Sequence, residues 1–118
     1  MAKVPDPLDP HLREELEELT AGVCRALNDP KRLLILYALA AAPRSVSDLA
    51  DLLGVSQSNV SQHLAVLRDR GLVETARDAN RVIYALRDRR VVGAIDLLRD
   101  VMNDELTRRQ SLRRPVRA

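Results

Sequence analysis

The sequence has no phenylalanine and no tryptophan, and its only aromatic residues are Tyr37 and Tyr84. A core without large rings has to be assembled from Leu, Val, Ile and Ala. A chain of 118 residues also buries a modest share of its surface, so burial against a second copy would add to its stability. The single cysteine, Cys24, excludes an internal disulfide framework and fits a reducing cytoplasm. No apolar run approaches the ~20 residues of a membrane span, and Met1–Pro10 lacks the apolar stretch of a signal peptide. A cytoplasmic chain with no membrane partner is therefore expected. Missing as well are a Gly-rich phosphate loop, a metal-spaced His/Cys cluster and any Ser/His/Asp or Cys/His arrangement. These absences argue against an enzyme, a metal site or a bound cofactor.

What is present suits one folded domain: 46% of the residues are hydrophobic and 31% charged. The charge is unevenly placed. Residues 1–29 hold three basic and seven acidic residues, whereas the remainder holds sixteen basic and ten acidic. An acidic first segment on a basic body predicts one face for a polyanion and another for a different contact. Nearly all the basic residues are arginine, whose planar fork binds phosphate in a way lysine does not.

Residues 1–8, with two prolines and no periodicity, read as a flexible lead-in. Asp9-Pro10 is a helix start, and Leu12, Leu16, Leu19, Val23 and Leu27 follow at helical spacing. Gly22 interrupts this stripe as a bend or a point of close packing. Asn28-Asp29-Pro30 ends the first helix and starts a second, apolar on most sides (Leu33, Leu34, Ile35, Leu36, Leu39), which Pro43 stops. Ser47 is expected to cap a short helix over Asp48–Leu53, Gly54 to supply its left-handed exit, and Ser56 to cap the next helix, which Gly71 closes. Residues 72–76 and 81–86 predict two strands joined through Asp78-Ala79-Asn80. Asp88 caps a last helix carrying Val91, Ile95, Leu98 and Met102. The domain is expected over residues 9–107, with a disordered basic tail over 108–118.

The order of elements is that of a winged helix-turn-helix: mainly α, with a small β-hairpin wing. Its central feature is the helix from Ser56 to Arg70. At 100° per residue Val60, Leu64 and Leu67 share one side, with His63 at its edge. Gln57, Ser58, Ser61, Gln62, Ala65 and Arg68 share the other. That exposed side is small, polar and uncharged over two turns, and suits a major groove, where Gln pairs with adenine and Ser with any base edge. Gln57, Ser58, Ser61 and Gln62 are the candidates for base readout. Ser56, at the free helix N-terminus, and Arg44, Arg68, Arg70, Arg77 and Arg81 are the candidates for phosphate contact, the last two from the wing. Each of these arginines has a plainer reading as a solvated side chain. Taken alone, a Ser/Gln helix is often mere surface; here its neighbours supply the context.

Three stretches carry a family resemblance: Leu27-Asn28-Asp29-Pro30-Lys31-Arg32-Leu33-Leu34-Ile35-Leu36, the run from Val55 through Ser61-Gln62-His63-Leu64 to Arg68, and Gly71-Leu72-Val73. Over roughly residues 20–105 the chain resembles the ArsR/SmtB family of bacterial winged-helix repressors. The resemblance implies a homodimer that represses transcription on double-stranded DNA until a signal releases it. The wing departs from the family, which commonly has a Gly in the turn; here Asn80 is the residue expected to take the left-handed conformation. The apolar stripes Leu12, Leu16, Leu19, Val23 and Val91, Ile95, Leu98, Met102 are candidates for the dimer interface, the alternative being that both pack on their own body.

The resemblance also implies sensing of metals, metalloids or thiol oxidants, yet the residues for it are missing. The stretch matching the family's thiolate site, Arg44-Ser45-Val46-Ser47-Asp48-Leu49, has no cysteine. The last helix, where the family uses His with carboxylates, has no histidine. Its Asp96, Asp100 and Asp104 share one face, which reads as a salt-bridged surface sooner than a cation site. Cys24 reads first as a small buried residue and second as a redox thiol. His63 is expected to pack or hydrogen-bond, and His11 to lie at the surface. The competing function is a winged-helix module that docks a protein partner, or a repressor that depends on a separate sensor subunit.

Overall fold

The computed structural model describes residues 4–113; residues 1–3 of the expected lead-in and 114–118 of the expected tail lie outside them. The chain divides into two compact units, one ending at Arg87 and the other beginning at Asp88.

In the first unit, Asp9 caps α1 (Pro10–Leu19), accepting the His11 N–H, with Pro10 in the first turn. The rod then widens into a π-helical turn over Thr20–Cys24 and finishes in a short α2 (Arg25–Leu27). Gly22 is buried inside the π-turn; a Cβ there would meet the Arg70 side chain at 3.7–3.8 Å. Gly22 thus sits in a π-turn, at ordinary van der Waals distance from Arg70. Asp29 caps α3 (Pro30–Ala41) through the N–H groups of Lys31 and Arg32, and Ile35, Leu36, Ala38 and Leu39 bury its inner face.

A two-residue strand, β1 (Arg44–Ser45), precedes α4 (Val46–Leu53). The cap of α4 is Ser45, not Ser47, so the helix starts earlier than expected. The reason is a reciprocal pair of bonds: the Ser45 hydroxyl accepts from the Asp48 N–H, and the Asp48 carboxylate accepts from the Ser45 N–H. Gly54, at φ 68°, supplies the left-handed exit that glycine adopts without a Cβ penalty. Ser56 caps α5 (Gln57–Asp69) by accepting the Asn59 N–H. Strands β2 (Val73–Asp78) and β3 (Arg81–Leu86) form the hairpin, and β1 adds to it in the order β1-β3-β2, all antiparallel. A third strand of two residues is too short to show a period. At the hairpin tip Ala79, not Asn80, holds the positive φ, 57°. With Asp78 paired to Arg81, the turn has two central residues, and the first of them carries the strain. The core of this unit is aliphatic: Ile35, Leu36, Leu49, Val60, Leu64, Leu67 and Val73 are fully enclosed.

The second unit is α6 (Arg90–Arg113). Asp88 accepts the Arg90 N–H at its start. The helix continues past residue 107, where disorder was expected. Apolar periodicity fades there, but Glu105 pairs with Arg108 at 2.8 Å and Arg109 at 3.1 Å, at the three- and four-residue spacings that support an exposed helix. Among the described residues, no helix is long and apolar enough to cross a membrane.

Candidate nucleic-acid interface

The sequence of α5 sets two opposite faces. Val60, Leu64 and Leu67 have no exposed surface, which fixes the rotation of the helix. Gln57, Ser58, Ser61, Gln62, Ala65 and Arg68 are consequently all exposed together. Ser56 is exposed at the N-cap; its Oγ accepts the Asn59 N–H at 3.0 Å and keeps its own proton for donation.

The hairpin flanks this helix. Residues paired across two antiparallel strands share a sheet face, and residues two apart on one strand do so as well. Arg77 pairs with Val82, and Thr75 with Tyr84, so Arg77, Val82 and Tyr84 lie on one face of the wing. That face follows the recognition helix. One open groove is lined by Gln57 with Val82, Arg81 and Ser45–Ser47; another is lined by Ser61, Ala65, Arg68 and Asp69 with Tyr84. Tyr84 was not among the expected site residues, although its rarity and its place on the alternating strand were visible in the sequence.

The candidate arginines separate into groups. Arg68 and Arg77 are exposed on the helix and wing surfaces just described. Arg44 is half-buried, and its Nε donates to the Ala38 carbonyl at 3.1 Å, tying down the end of α3. Arg70 lies over Gly22 and 3.7 Å from the Asp69 carboxylate. Arg81 Nη2 donates to Ser45 Oγ at 2.8 Å and to Asp48 Oδ2 at 3.2 Å. The hydroxyl and N–H of Ser45 hold the Asp48 carboxyl below its ordinary pKa; partial burial opposes them and Arg81 adds to them.

The two helices expected at a dimer interface are exposed in different ways. On α1, Leu16 and Leu19 are exposed, while Leu12 and, in the π-turn, Val23 are partly covered. On α6, Ile95 is buried and Val91 partly covered, whereas Leu98 and Met102 are 67% and 54% exposed. Leu97, Val101 and Leu106 are exposed as well, so the free apolar stripe of α6 includes residues the expected spacing left out.

Residues 29–75 match the model of the bacterial regulatory protein arsR family. The chain is 41% identical over 85 residues to the HTH-type transcriptional regulator YgaV of Escherichia coli, covering 71% of this chain and 86% of that protein. The chain belongs to the ArsR family. Its fold agrees with solved members: NolR from Sinorhizobium fredii superposes with a TM-score of 0.70 at 40% identity, over 82% of this chain and 96% of that one. A homodimeric winged helix-turn-helix DNA-binding domain from Mycobacterium bovis superposes with a TM-score of 0.72 at 29% identity, over 86% and 94%. As an ArsR-family member the chain is a DNA-binding transcriptional regulator with a winged helix-turn-helix fold.

The family's sensing sites do not fit the residues present. The Arg44–Leu49 segment offers no thiolate, and α6 has no histidine. Among the described residues no three His, Cys, Asp or Glu side chains converge as a metal site would require. Asp96 is 3.0 Å from Arg99, an ion pair on the helix surface. Cys24 is exposed, contrary to the buried position expected from its neighbour Val23: one residue on, it lies about 100° round the helix from the stripe, whose Val23 and Leu27 are partly covered.

Proposed function

We propose that this ArsR-family chain acts as a homodimeric repressor that reads the DNA major groove with α5 and holds the backbone with its wing. Gln57, Ser58, Ser61 and Gln62 contact base edges. Arg68 and Arg77, with the Ser56 hydroxyl at the helix N-terminus, contact phosphates. The single observation that carries this reading is the division of α5: three fully buried aliphatic residues on one side and, on the other, an exposed polar face that is uncharged over its first two turns. Such a face desolvates at lower cost than a charged one and presents donors and acceptors to bases.

The homodimer joins through the exposed apolar residues of α1 and α6, Leu16 and Leu19 on the one and Leu98 and Met102 on the other. A two-fold protein reads two half-sites about one helical turn apart, and occupancy of a promoter in this way blocks transcription. The DNA partner puts the protein in the cytoplasm. The family's usual thiolate and histidine ligands are absent from the matching segments, so no release signal is proposed.

The test is fluorescence anisotropy with the DNA upstream of the protein's own gene and a scrambled duplex of equal length, over a salt series. A preference of at least about a thousandfold supports the repressor. Binding without preference, lost at moderate salt, supports a protein-docking module instead.

A further inference from the structure

Arg32, in the first turn of α3, is 15% exposed and its donors point three ways. Nε donates to the Ala26 carbonyl at 2.6 Å, and Nη2 donates to the Arg25 carbonyl at 3.3 Å. Nη1 lies 3.3 Å from His63 Nδ1. Arginine has no acceptor, so in this contact the guanidinium donates and His63 Nδ1 is the acceptor. Asp29, whose carboxylate caps α3, stands 3.9 Å from the same Nη1. One guanidinium therefore joins the end of the first helical segment, the cap of α3 and the middle of the recognition helix. Further along, the Arg70 side chain at the end of α5 comes within ordinary van der Waals distance of the Gly22 position in the π-turn.

His63 is half-buried, whereas Ser61 and Gln62 beside it are exposed base-reading candidates. The angle and depth of α5 are fixed from below by aliphatic packing, which is non-directional. The Arg32–His63 bond adds direction. We propose that Arg32 is a positioning residue for DNA reading, which acts through His63 to hold the recognition helix in register with the Thr20–Leu27 segment. The inference rests on the DNA-reading function proposed above. A binding constellation has to be held within about 0.5 Å of its productive geometry, and a planar fork that spans three partners does this where a point charge does not.

The experiment measures affinity for the upstream DNA and for a scrambled duplex, over a salt series, with circular dichroism melting to establish folding. Four variants are compared with the wild type: Arg32→Lys, Arg32→Gln, His63→Asn and His63→Leu. Asn places an acceptor where Nδ1 stood; Leu fills the space without one. Arg32→Lys, Arg32→Gln and His63→Leu are each expected to lose about tenfold in affinity for the upstream DNA, the effect of one lost bond from a charged donor. Binding to the scrambled duplex and the salt slope stay as in the wild type, since no phosphate contact is removed. His63→Asn is expected to keep affinity within about threefold of wild type.

A packing role for His63 predicts the reverse order, with Leu tolerated and Asn not, and that result overturns the inference. So does Arg32→Lys binding like the wild type. Should an Arg32 variant fail to fold, the His63 pair still decides. A wild type without sequence preference overturns the function itself, and the inference with it. A wild type with preference, matched by His63→Leu, overturns the inference alone.

Discussion

Arg81 Nη2 lies 2.8 Å from the Ser45 hydroxyl, so the second strand of the wing is fastened to the cap of α4. The same nitrogen is 3.2 Å from Asp48, with both side chains about half exposed. Exposed ion pairs contribute under about 1 kcal/mol, and a hydrogen bond about the same again. Arg81→Ala is therefore expected to destabilise the fold by about 1–2 kcal/mol in chemical denaturation, and to leave the salt slope of DNA binding unchanged. A slope that falls by about one unit would instead return Arg81 to the phosphate contacts.

The proposed base and phosphate contacts separate by how their loss is felt. Gln57→Ala and Ser61→Ala are expected to change which sequence is preferred, each costing about 1–3 kcal/mol at the matched base pair and little on scrambled DNA. Arg68→Ala and Arg77→Ala are expected to weaken binding to every sequence and to lower the salt slope by about one unit each. Binding selections over randomised duplexes, combined with salt titrations, measure both. Identical behaviour of the two pairs would refute the division of roles.

The wing tip is strained. A non-glycine residue in the left-handed region costs roughly 1–2 kcal/mol, and Ala79 sits at φ 57°. Glycine removes that cost and adds about 0.5–1 kcal/mol of unfolded-chain entropy. Ala79→Gly is thus expected to stabilise the protein by up to about 1 kcal/mol, seen as a higher thermal midpoint, while Asn80→Gly brings no such gain. If Asn80→Gly stabilises and Ala79→Gly does not, the turn has been assigned wrongly.

Asp88 gives the pH prediction. The Arg90 side chain, bonding both carboxylate oxygens, and the Arg90 N–H lower its pKa from 3.8 to about 2. A depressed folded value means that the ionised form favours the folded state. This stabilisation is fully present above the ordinary value near 3.8 and is lost as pH falls towards about 2. A carboxyl titration followed by NMR is expected to place Asp88 near that lower value in the wild type and closer to the ordinary one in Arg90→Ala. Thermal midpoints of Asp88→Asn should depend less on pH across that window than those of the wild type.

Much of the fold was legible because its signals are local. Asp-Pro caps, Gly54, and the Val60, Leu64, Leu67 repeat each state a backbone demand within one or two turns. The features that were missed depend on partners distant in sequence or on competition between near-equal local choices. Ser45 and Ser47 both suit an N-cap, and only the reciprocal bond with Asp48 decides between them. The strand at Arg44–Ser45 exists because β3 is there to pair with it. The candidate interface divides in the same way. The polar face of α5 follows from periodicity alone, whereas Arg44 and Arg81 look like any exposed arginine until Ala38, Ser45 and Asp48 are brought beside them. Cys24 was misplaced because it lies one residue, about 100° of helix, from the partly covered Val23, and adjacency in sequence is not adjacency on a helix face.

The central claim, a two-fold reader of the major groove, is tested most directly by hydroxyl-radical footprinting of the upstream DNA, with the stoichiometry of the complex measured by sedimentation. The account predicts two chains per duplex and two protected half-sites related by inverted symmetry, about 10 bp apart centre to centre, with protection lost in Ser61→Ala at the preferred sequence. One chain bound per duplex, or protection that is uniform along any DNA offered, would contradict it.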